Sequence, residues 1–251
     1  MIRWLTAFLD LPASSFERDV AFWQTVTGTT LSARRGHHDE FATLLPPTGD
    51  AFVKVQRIDD GAARLHLDLH VDDVAEAAAR AAALGATVVA EHSYVVTRSP
   101  GGFVFCFVSH RSNGERPVPV EAPGGGARSL VDQVCVDVPA DLFDAEAAFW
   151  TTLTGWEHRA TGRPELEVLV RPTGMPLRIL LQRLGTDDPG DAARAHLDLA
   201  CGDGRDVVTA WHRALGAEEV RRESRWTTLR DPAGLAYCLT ARDPDTGLLP
   251  T

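Results

Sequence analysis

The sequence carries one pattern twice, and this repeat constrains the fold more than any other feature. Residues 7–28 return as residues 134–155, with matched positions separated by 127 residues throughout. The motif R-x-H-L-D-L at 64–69 returns later at 194–199. Because order and spacing persist over about half the chain, we interpret the sequence as a duplication that builds its fold from repeated units.

Each copy shows a strand–helix–strand rhythm that runs twice. In copy one, Leu5–Leu11 has the apolar pattern of a strand, and Ser14 with Glu17 fits a capping box at the start of a helix. After three short strands the rhythm restarts, with a strand over Leu65–Val71 and a helix capped by Asp72. The chain is therefore predicted to hold four βαβββ modules, in an α+β fold.

A βαβββ module exposes one sheet face that it cannot bury alone. Two modules can pair their sheets into a curved half-barrel, with helices outside and a small-molecule cavity inside. We expect two such domains, over residues 1–111 and 129–242. The linker is placed at 112–128, which carries three prolines and a run of three glycines, and residues 243–251 form a tail.

Charge and composition narrow the range of partners. The chain has 35 acidic and 25 basic residues and a formal net charge of −10, so it offers no basic field to a nucleic acid or an anionic membrane. No apolar run approaches the roughly 20 residues of a membrane span. We expect a cytoplasmic protein with a small-molecule ligand or substrate. A monomer and a homodimer both fit, because the duplication can supply within one chain a pairing that separate chains would otherwise make.

Copy one carries, in this order, Phe22-Trp23 with Gly28, Gln56-Arg57, the 64–69 motif, Leu84-Gly85-Ala86 and Ser99-Pro100-x-Gly102. The order of these motifs resembles the vicinal oxygen chelate superfamily, and within it the glyoxalase-like domains. The counterparts of these motifs return in copy two, so the resemblance covers nearly the whole chain except the linker and the tail. It implies a cavity where a divalent metal chelates vicinal oxygens of a substrate and acts as a Lewis acid.

The resemblance also assigns positions to the metal ligands, which are His, Gln or Glu in this superfamily. In copy one and copy two respectively, these positions hold His66 and His196, Thr6 and Gln133, Gln56 and Gln182, and Cys106 and Cys238. Both expected glutamates are therefore replaced in both copies. A hard divalent cation prefers oxygen anions, so the cofactor is left open between a softer divalent ion and none. The two histidines are the candidate catalytic residues.

Strand alternation adds candidates to the same face. His66, Asp68 and His70 lie on one side of their strand, and Asp198 is the counterpart of Asp68 in copy two. A buried histidine bonded to a neighbouring strand is the alternative for His66.

Other candidates have structural alternatives of their own. The glutamines must bond either a backbone group or a ligand if buried, and the cysteines, each in an apolar strand, also suit the core.

Two further candidate residues in each copy lie at or before the turn that precedes the last strand. Tyr94 and Trp226 occupy equivalent positions, where an aromatic ring can wall a cavity and stack on a flat ligand. Arg98 and Arg230 suit an anionic ligand, and a turn-stabilising role fits them equally well.

Three hypotheses about function follow. The first is a cavity that binds a small organic molecule with a weak metal or none, similar to the drug-sequestering, bleomycin-resistance-like proteins of the superfamily. The second is a metal-dependent lyase, isomerase or dioxygenase-like enzyme acting on a small oxygenated metabolite. In the third, one copy keeps the site and the other is a structural partner. Copy two has Gln133, whereas copy one has His70 and Tyr94, and these differences do not choose between the copies.

Overall fold

The structure, a computed structural model, describes residues 1–111, 114–188 and 190–250. Within these ranges each copy forms one mixed sheet and two α-helices, with eight strands in the sheet of copy one and nine in that of copy two. The predicted α+β fold of four βαβββ modules is confirmed.

Copy one follows the predicted rhythm. Its elements are β1 (Ile2–Pro12), α1 (Phe16–Thr27), β2 (Thr30–Leu31), β3 (Phe41–Leu45), β4 (Val53–Ile58), β5 (Arg64–Val71), α2 (Val74–Ala83), β6 (Thr87–Glu91), β7 (Val95–Arg98) and β8 (Val104–Ser109). The strand order is β2-β3-β4-β1-β5-β8-β7-β6. The first strands of the two modules, β1 and β5, are therefore neighbours in the middle of the sheet, and β5 pairs in parallel with β8.

Copy two repeats this topology. Its elements are β9 (Val120–Glu121), β10 (Arg128–Val138), α3 (Phe143–Thr154), β11 (Glu157–Ala160), β12 (Leu166–Val170), β13 (Arg178–Arg183), β14 (Arg194–Ala200), a short 3₁₀ helix (Gly202–Gly204), α4 (Arg205–Ala214), β15 (Glu218–Arg222), β16 (Trp226–Arg230) and β17 (Ala236–Thr240). The order β11-β12-β13-β10-β14-β17-β16-β15 matches that of copy one, and β9 pairs with β10 outside it.

The segment predicted as a linker, 112–128, contains part of the sheet. Strand β9 lies within it, and Val120 pairs antiparallel with Ser129 of β10. Ser112 at the start of this segment and Thr251 at the end of the predicted tail lie outside the described residues. The domain boundaries at 1–111 and 129–242 stay predictions.

The first helix of copy one starts differently from its predicted cap. Helix α1 begins after Ser15, whose side chain makes no capping bond, so the predicted capping box of Ser14 with Glu17 is wrong. Glu17 instead forms an ion pair with Arg34. The helix ends at Gly28, whose φ of 60° is left-handed and favours a residue without a Cβ.

The second helix of copy one is capped one residue later than predicted. The Asp73 carboxylate accepts a hydrogen bond from the backbone N–H of Glu76 at 2.9 Å, whereas the predicted cap, Asp72, pairs with Arg3 at 3.0 Å. No helix in the described part of the chain is long and apolar enough to cross a membrane.

The chain divides by packing into two compact units that do not follow the two copies. Unit 1 is Met1–Phe8, Leu65–Glu115 and Val134–Ala195, and unit 2 is Leu9–Arg64, Arg116–Gln133 and His196–Thr251. Each unit therefore combines one module of copy one with one module of copy two. As a result, the long helix in each unit packs on a strand from the other copy.

In unit 1, α3 of copy two packs on β8 of copy one. The buried Trp150 ring lies 5.0 Å from the Phe105 ring. Glu146, on the same helix, accepts hydrogen bonds from Trp150 Nε1 at 2.8 Å, Ser99 Oγ at 2.6 Å and the Gly101 N–H at 2.6 Å. Burial raises the pKa of Glu146, and the three donors satisfy both of its oxygens. This buried carboxylate therefore fixes the helix to the turn before β8.

In unit 2, α1 of copy one packs on β17 of copy two. The Trp23 ring lies 5.4 Å from Tyr237, and its Nε1 donates to Asp231 at 2.7 Å. Burial raises the pKa of Asp231 to about 6. The Tyr237 hydroxyl lies 3.0 Å from His212 Nδ1, and burial lowers the pKa of His212 to about 3. Here the anchoring carboxylate is on the turn rather than on the helix.

Candidate functional site

In copy one, three chemically capable side chains meet on one face of the sheet. Asp68 of β5 and Cys106 of β8 are direct neighbours across the parallel pair. His66 is 9% exposed, and Asp68 and Cys106 are each 6% exposed. One ligand atom from each of the three residues lies within 4.8 Å of the others. The structure therefore brings together a histidine, a carboxylate and a thiol.

Strand β1 positions the histidines of this face. The Phe8 ring stacks on the His66 imidazole, with centroids 4.7 Å apart and planes 7° from parallel. Thr6 Oγ1 and His70 Nε2 share a hydrogen bond of 2.8 Å, and the His70 ring lies 6.3 Å from that of His110. Thr6, which the resemblance aligned with a metal ligand, is therefore a hydrogen-bond partner of His70.

Copy two builds the same set from His196, Asp198 and Cys238, again with one ligand atom of each within 4.8 Å of the others. His196 Nε2 lies 3.3 Å from Asp198 Oδ1 and 3.6 Å from Cys238 Sγ. Thr228 Oγ1 lies 3.4 Å from the same sulfur. The duplication thus keeps equivalent His–Asp–Cys sets in the two sheets.

In copy two the carboxylate of this set is engaged by two further side chains. Gln133 Nε2 donates to Asp198 Oδ2, and Arg242 Nη1 lies 3.7 Å from the same oxygen. Arg242 also forms a buried two-point pair with Asp132, with Nε–Oδ2 at 3.1 Å and Nη2–Oδ1 at 2.5 Å. Burial opposes the guanidinium charge, but Asp132 and then Asp198 outweigh it and raise the pKa of Arg242.

The Asp132–Arg242 pair adjoins the copy-two set, and the sequence patterns above do not predict it. Their positions in copy one hold Leu5 and His110, so the pair belongs to copy two alone. One signal was present: an aspartate inside the apolar strand S-L-V-D-Q-V-C-V must be paired if the strand is buried. Its partner in the structure is Arg242, which lies just after the last strand.

The two glutamines assigned to ligand positions have different neighbours. Gln182 Oε1 lies 3.6 Å from the Cys135 thiol, which is its donor. Gln56 is half-buried on β4 and lies opposite Phe41 of β3.

The residues near the last turn of each copy are at the sheet margin. Tyr94 immediately precedes β7 and Trp226 opens β16, and both rings are half-buried. Arg230 Nη1 donates to the Gly234 carbonyl at 3.2 Å, which is the turn-stabilising role left open by the sequence. Arg98 ends β7 and is exposed.

The two donor sets differ in their fit to a divalent ion. A histidine nitrogen, a carboxylate oxygen and a thiolate suit softer ions such as Zn²⁺, Co²⁺ or Fe²⁺, and the 4.8 Å grouping of His66, Asp68 and Cys106 fits such an ion. In copy two, a permanently charged guanidinium lies 3.7 Å from Asp198 Oδ2, on the same carboxylate whose other oxygen, Oδ1, lies 3.3 Å from His196 Nε2. Like charges so close in a buried site repel strongly, and that donor set does not fit.

Comparison with known protein families finds a match in each of the two copies. A model of the family described as glyoxalase-like domain matches residues 6–108 and again 133–240. A comparison with curated proteins found no match.

Similar solved structures include three proteins at low sequence identity. The 2,2',3-trihydroxybiphenyl 1,2-dioxygenase from Sphingomonas wittichii has a TM-score of 0.60 and 17% identity, over 99% of this chain and 95% of that chain. The 2,3-dioxygenase LapB from Pseudomonas sp. KL28 has a TM-score of 0.62 and 12% identity, over 94% and 90%. A mutant of 4-hydroxymandelate synthase from Streptomyces coelicolor has a TM-score of 0.60 and 16% identity, over 98% and 93%. These likenesses show a shared fold.

Proposed function

Because this chain belongs to the glyoxalase-like domain family, we propose that it binds a small organic molecule on the sheet face of copy one. The observation that carries the proposal is the convergence of His66, Asp68 and Cys106 beside the Phe8 ring. A few polar groups set against an aromatic wall are typical of small-molecule sites. The binding does not depend on a metal in copy two, where Arg242 holds the carboxylate.

Each side chain of this face has a distinct part in binding. Phe8 holds the His66 ring in one orientation, so its nitrogen can donate to or accept from a ligand hydroxyl without first being ordered. Asp68 offers a carboxylate that accepts hydrogen bonds, and the adjacent Cys106 adds a polarisable surface. A small hydroxylated ring suits these groups, in keeping with the trihydroxybiphenyl in the name of one structural neighbour.

A metal-dependent enzyme is the second candidate, and the fit of the copy-one donor set to a soft ion favours it. A divalent ion held by His66, Asp68 and Cys106 would supply a Lewis acid to a ligand oxygen. The Phe8 stack would then fix the orientation of the His66 ring for that ion.

Catechol binding, followed by calorimetry on tag-free protein, tests the proposal. Since His66 and His196 are equivalent by duplication, His66→Ala and His196→Ala form a matched pair. We expect His66→Ala to weaken binding about tenfold or more, equivalent to about 1.4 kcal/mol, and His196→Ala to change it less than about twofold. Catechol binding that responds only to His196→Ala, or to neither variant, contradicts the proposal.

Metal analysis of the same samples separates the two candidates. Near-stoichiometric iron, manganese, nickel or zinc that disappears in His66→Ala, together with turnover of an oxygenated substrate, supports the enzyme. Catechol binding without turnover in metal-free protein supports a binding protein.

A further inference from the structure

The Arg242–Asp132 pair is unusual among the ion pairs of unit 2 because it is buried. The exposed fractions of the two side chains are 5% and 0%. By contrast, the Arg128–Asp245 pair has exposed fractions of 47% and 50%. Removing two charges from water is costly, and an exposed pair can tie down a chain segment without that cost. The buried pair therefore calls for a role beyond attaching the segment after β17.

The surroundings of Arg242 suggest that role. Its guanidinium is held by Asp132 and extends toward the oxygen of Asp198 that also accepts from Gln133. Asp198 is the carboxylate of the His196–Asp198–Cys238 set. A positive charge thus already stands beside the donors that would otherwise attract a cation.

We propose that Arg242 takes the place of a divalent cation in copy two, so that His196, Asp198 and Cys238 take up no metal. The corresponding set in copy one, His66, Asp68 and Cys106, binds one soft divalent ion. The inference deepens the proposed function by assigning metal chemistry to one copy, but it does not require catechol binding.

The sequence of copy one supports this division. The places of Asp132 and Arg242 are taken there by Leu5 and His110, which form no fixed ion pair. The position of Gln133 is taken by Thr6, which bonds His70 instead of the carboxylate. All three residues that engage or neutralise the carboxylate set of copy two are thus different in copy one.

Titration with Co²⁺ tests the assignment, because a thiolate bound to Co²⁺ gives a near-ultraviolet charge-transfer band that reports on a cysteine ligand. We expect about one equivalent of Co²⁺ per chain in tag-free wild-type protein. Cys106→Ser should abolish the band, and the matched Cys238→Ser should leave it unchanged. A wild-type band lost in Cys238→Ser would overturn the proposal, and a wild-type chain without any band would overturn its copy-one half.

A gain of metal binding tests Arg242 directly. The double variant Asp132→Leu with Arg242→Met removes both charges of the buried pair together, so Asp132 is not left buried without Arg242. We expect a second equivalent of Co²⁺, which the further change Cys238→Ser removes. Arg128→Met, which breaks the exposed pair, is the control and should leave one equivalent. A folded double variant, checked by circular dichroism, that gains no Co²⁺ contradicts the role of Arg242.

The reciprocal variant covers the case in which that double variant does not fold. Leu5→Asp with His110→Arg places the pair in copy one and should abolish the wild-type band. A folded reciprocal variant that retains the band contradicts the proposal. Loss of catechol binding is measured separately, so failure of the proposed function remains distinguishable from failure of the metal assignment.

Discussion

The two copies keep the same His–Asp–Cys set and differ in what surrounds it. In copy one, Phe8 stacks on His66. In copy two, the position of Phe8 is Cys135, and the carboxylate Asp198 is engaged by Gln133 and Arg242. A duplicated site can therefore change its chemistry while its central residues stay constant. Among the three hypotheses from the sequence, this difference supports one working copy and one structural copy.

The largest expected effect comes from breaking the buried pair in copy two. Arg242→Ala leaves Asp132 buried without its partner and should lower the free energy of unfolding by about 3–5 kcal/mol. Urea denaturation followed by circular dichroism measures it. Arg128→Ala, which breaks an exposed pair, should cost no more than about 1 kcal/mol. Equal losses in the two variants would mean that the copy-two pair is not special.

The pH dependence of stability tests the carboxylate of unit 2. Burial raises the pKa of Asp231 from 3.8 to about 6, so the folded state holds this proton more tightly than the unfolded state. The contribution of protonated Asp231 to the free energy of unfolding is therefore fully present below about pH 3.8 and is lost as the pH rises through 6. This contribution changes by about 3 kcal/mol at most.

His212, also in unit 2, changes the stability with pH in the opposite direction. Burial lowers the pKa of His212 from 6.5 to about 3, so its contribution is present above pH 6.5 and is lost as the pH falls. Asp231→Asn removes the pH dependence of stability that comes from Asp231 and leaves the one that comes from His212. Between pH 4 and 6, the stability of this variant should therefore rise with pH more steeply than that of the wild type, as measured by urea denaturation. Parallel curves for the two proteins would contradict the role assigned to Asp231.

The acidic residues at equivalent positions of α3 and α1 should show a smaller difference in their contribution to stability. Glu146 and Asp19 are equivalent by duplication, but Glu146 accepts three hydrogen bonds, whereas Asp19 pairs with Arg18 at 2.9 Å. Glu146→Gln turns an N–H₂ group toward a donor and should cost about 1–3 kcal/mol in the free energy of unfolding. Asp19→Asn should cost less, and thermal melts of both variants would show whether the order is reversed.

The smallest expected effect concerns the helix caps of copy one. Asp73→Ala removes the acceptor for the Glu76 N–H and should cost about 1 kcal/mol. Ser15→Ala removes a side chain that makes no capping bond, so its effect should stay within about 0.5 kcal/mol. Chemical denaturation of the pair measures the difference, and a larger loss for Ser15→Ala would refute this account of the caps.

The sequence predicts the module order and the shared face of the site because both follow from local periodicity. Repeat spacing indicates four modules, and strand alternation places His66 and Asp68 on one side of β5. The sequence predicts the helix N-caps only to within one residue. Asp72 and Asp73 are neighbours and either could cap the helix, but in the structure Asp72 pairs with Arg3 instead.

Contacts between distant segments were beyond these patterns. Asp132 and Arg242 are separated by 110 residues, and nothing periodic connects them. The packing of α3 on β8 is likewise invisible to the repeat, because matched offsets report which elements correspond and not which elements touch.

The composition of the units has a genetic consequence. Unit 1 joins Glu146 of copy two to Ser99 of copy one, and unit 2 joins Trp23 of copy one to Asp231 of copy two. If recombination made copy one identical to copy two, both units would carry a helix glutamate and a turn aspartate. In unit 1 the aspartate would replace Ser99, which donates to Glu146, so two carboxylates would meet at that anchor. Ser99 of copy one is therefore matched to Glu146 of copy two, and overwriting copy one with the sequence of copy two would remove this hydrogen bond.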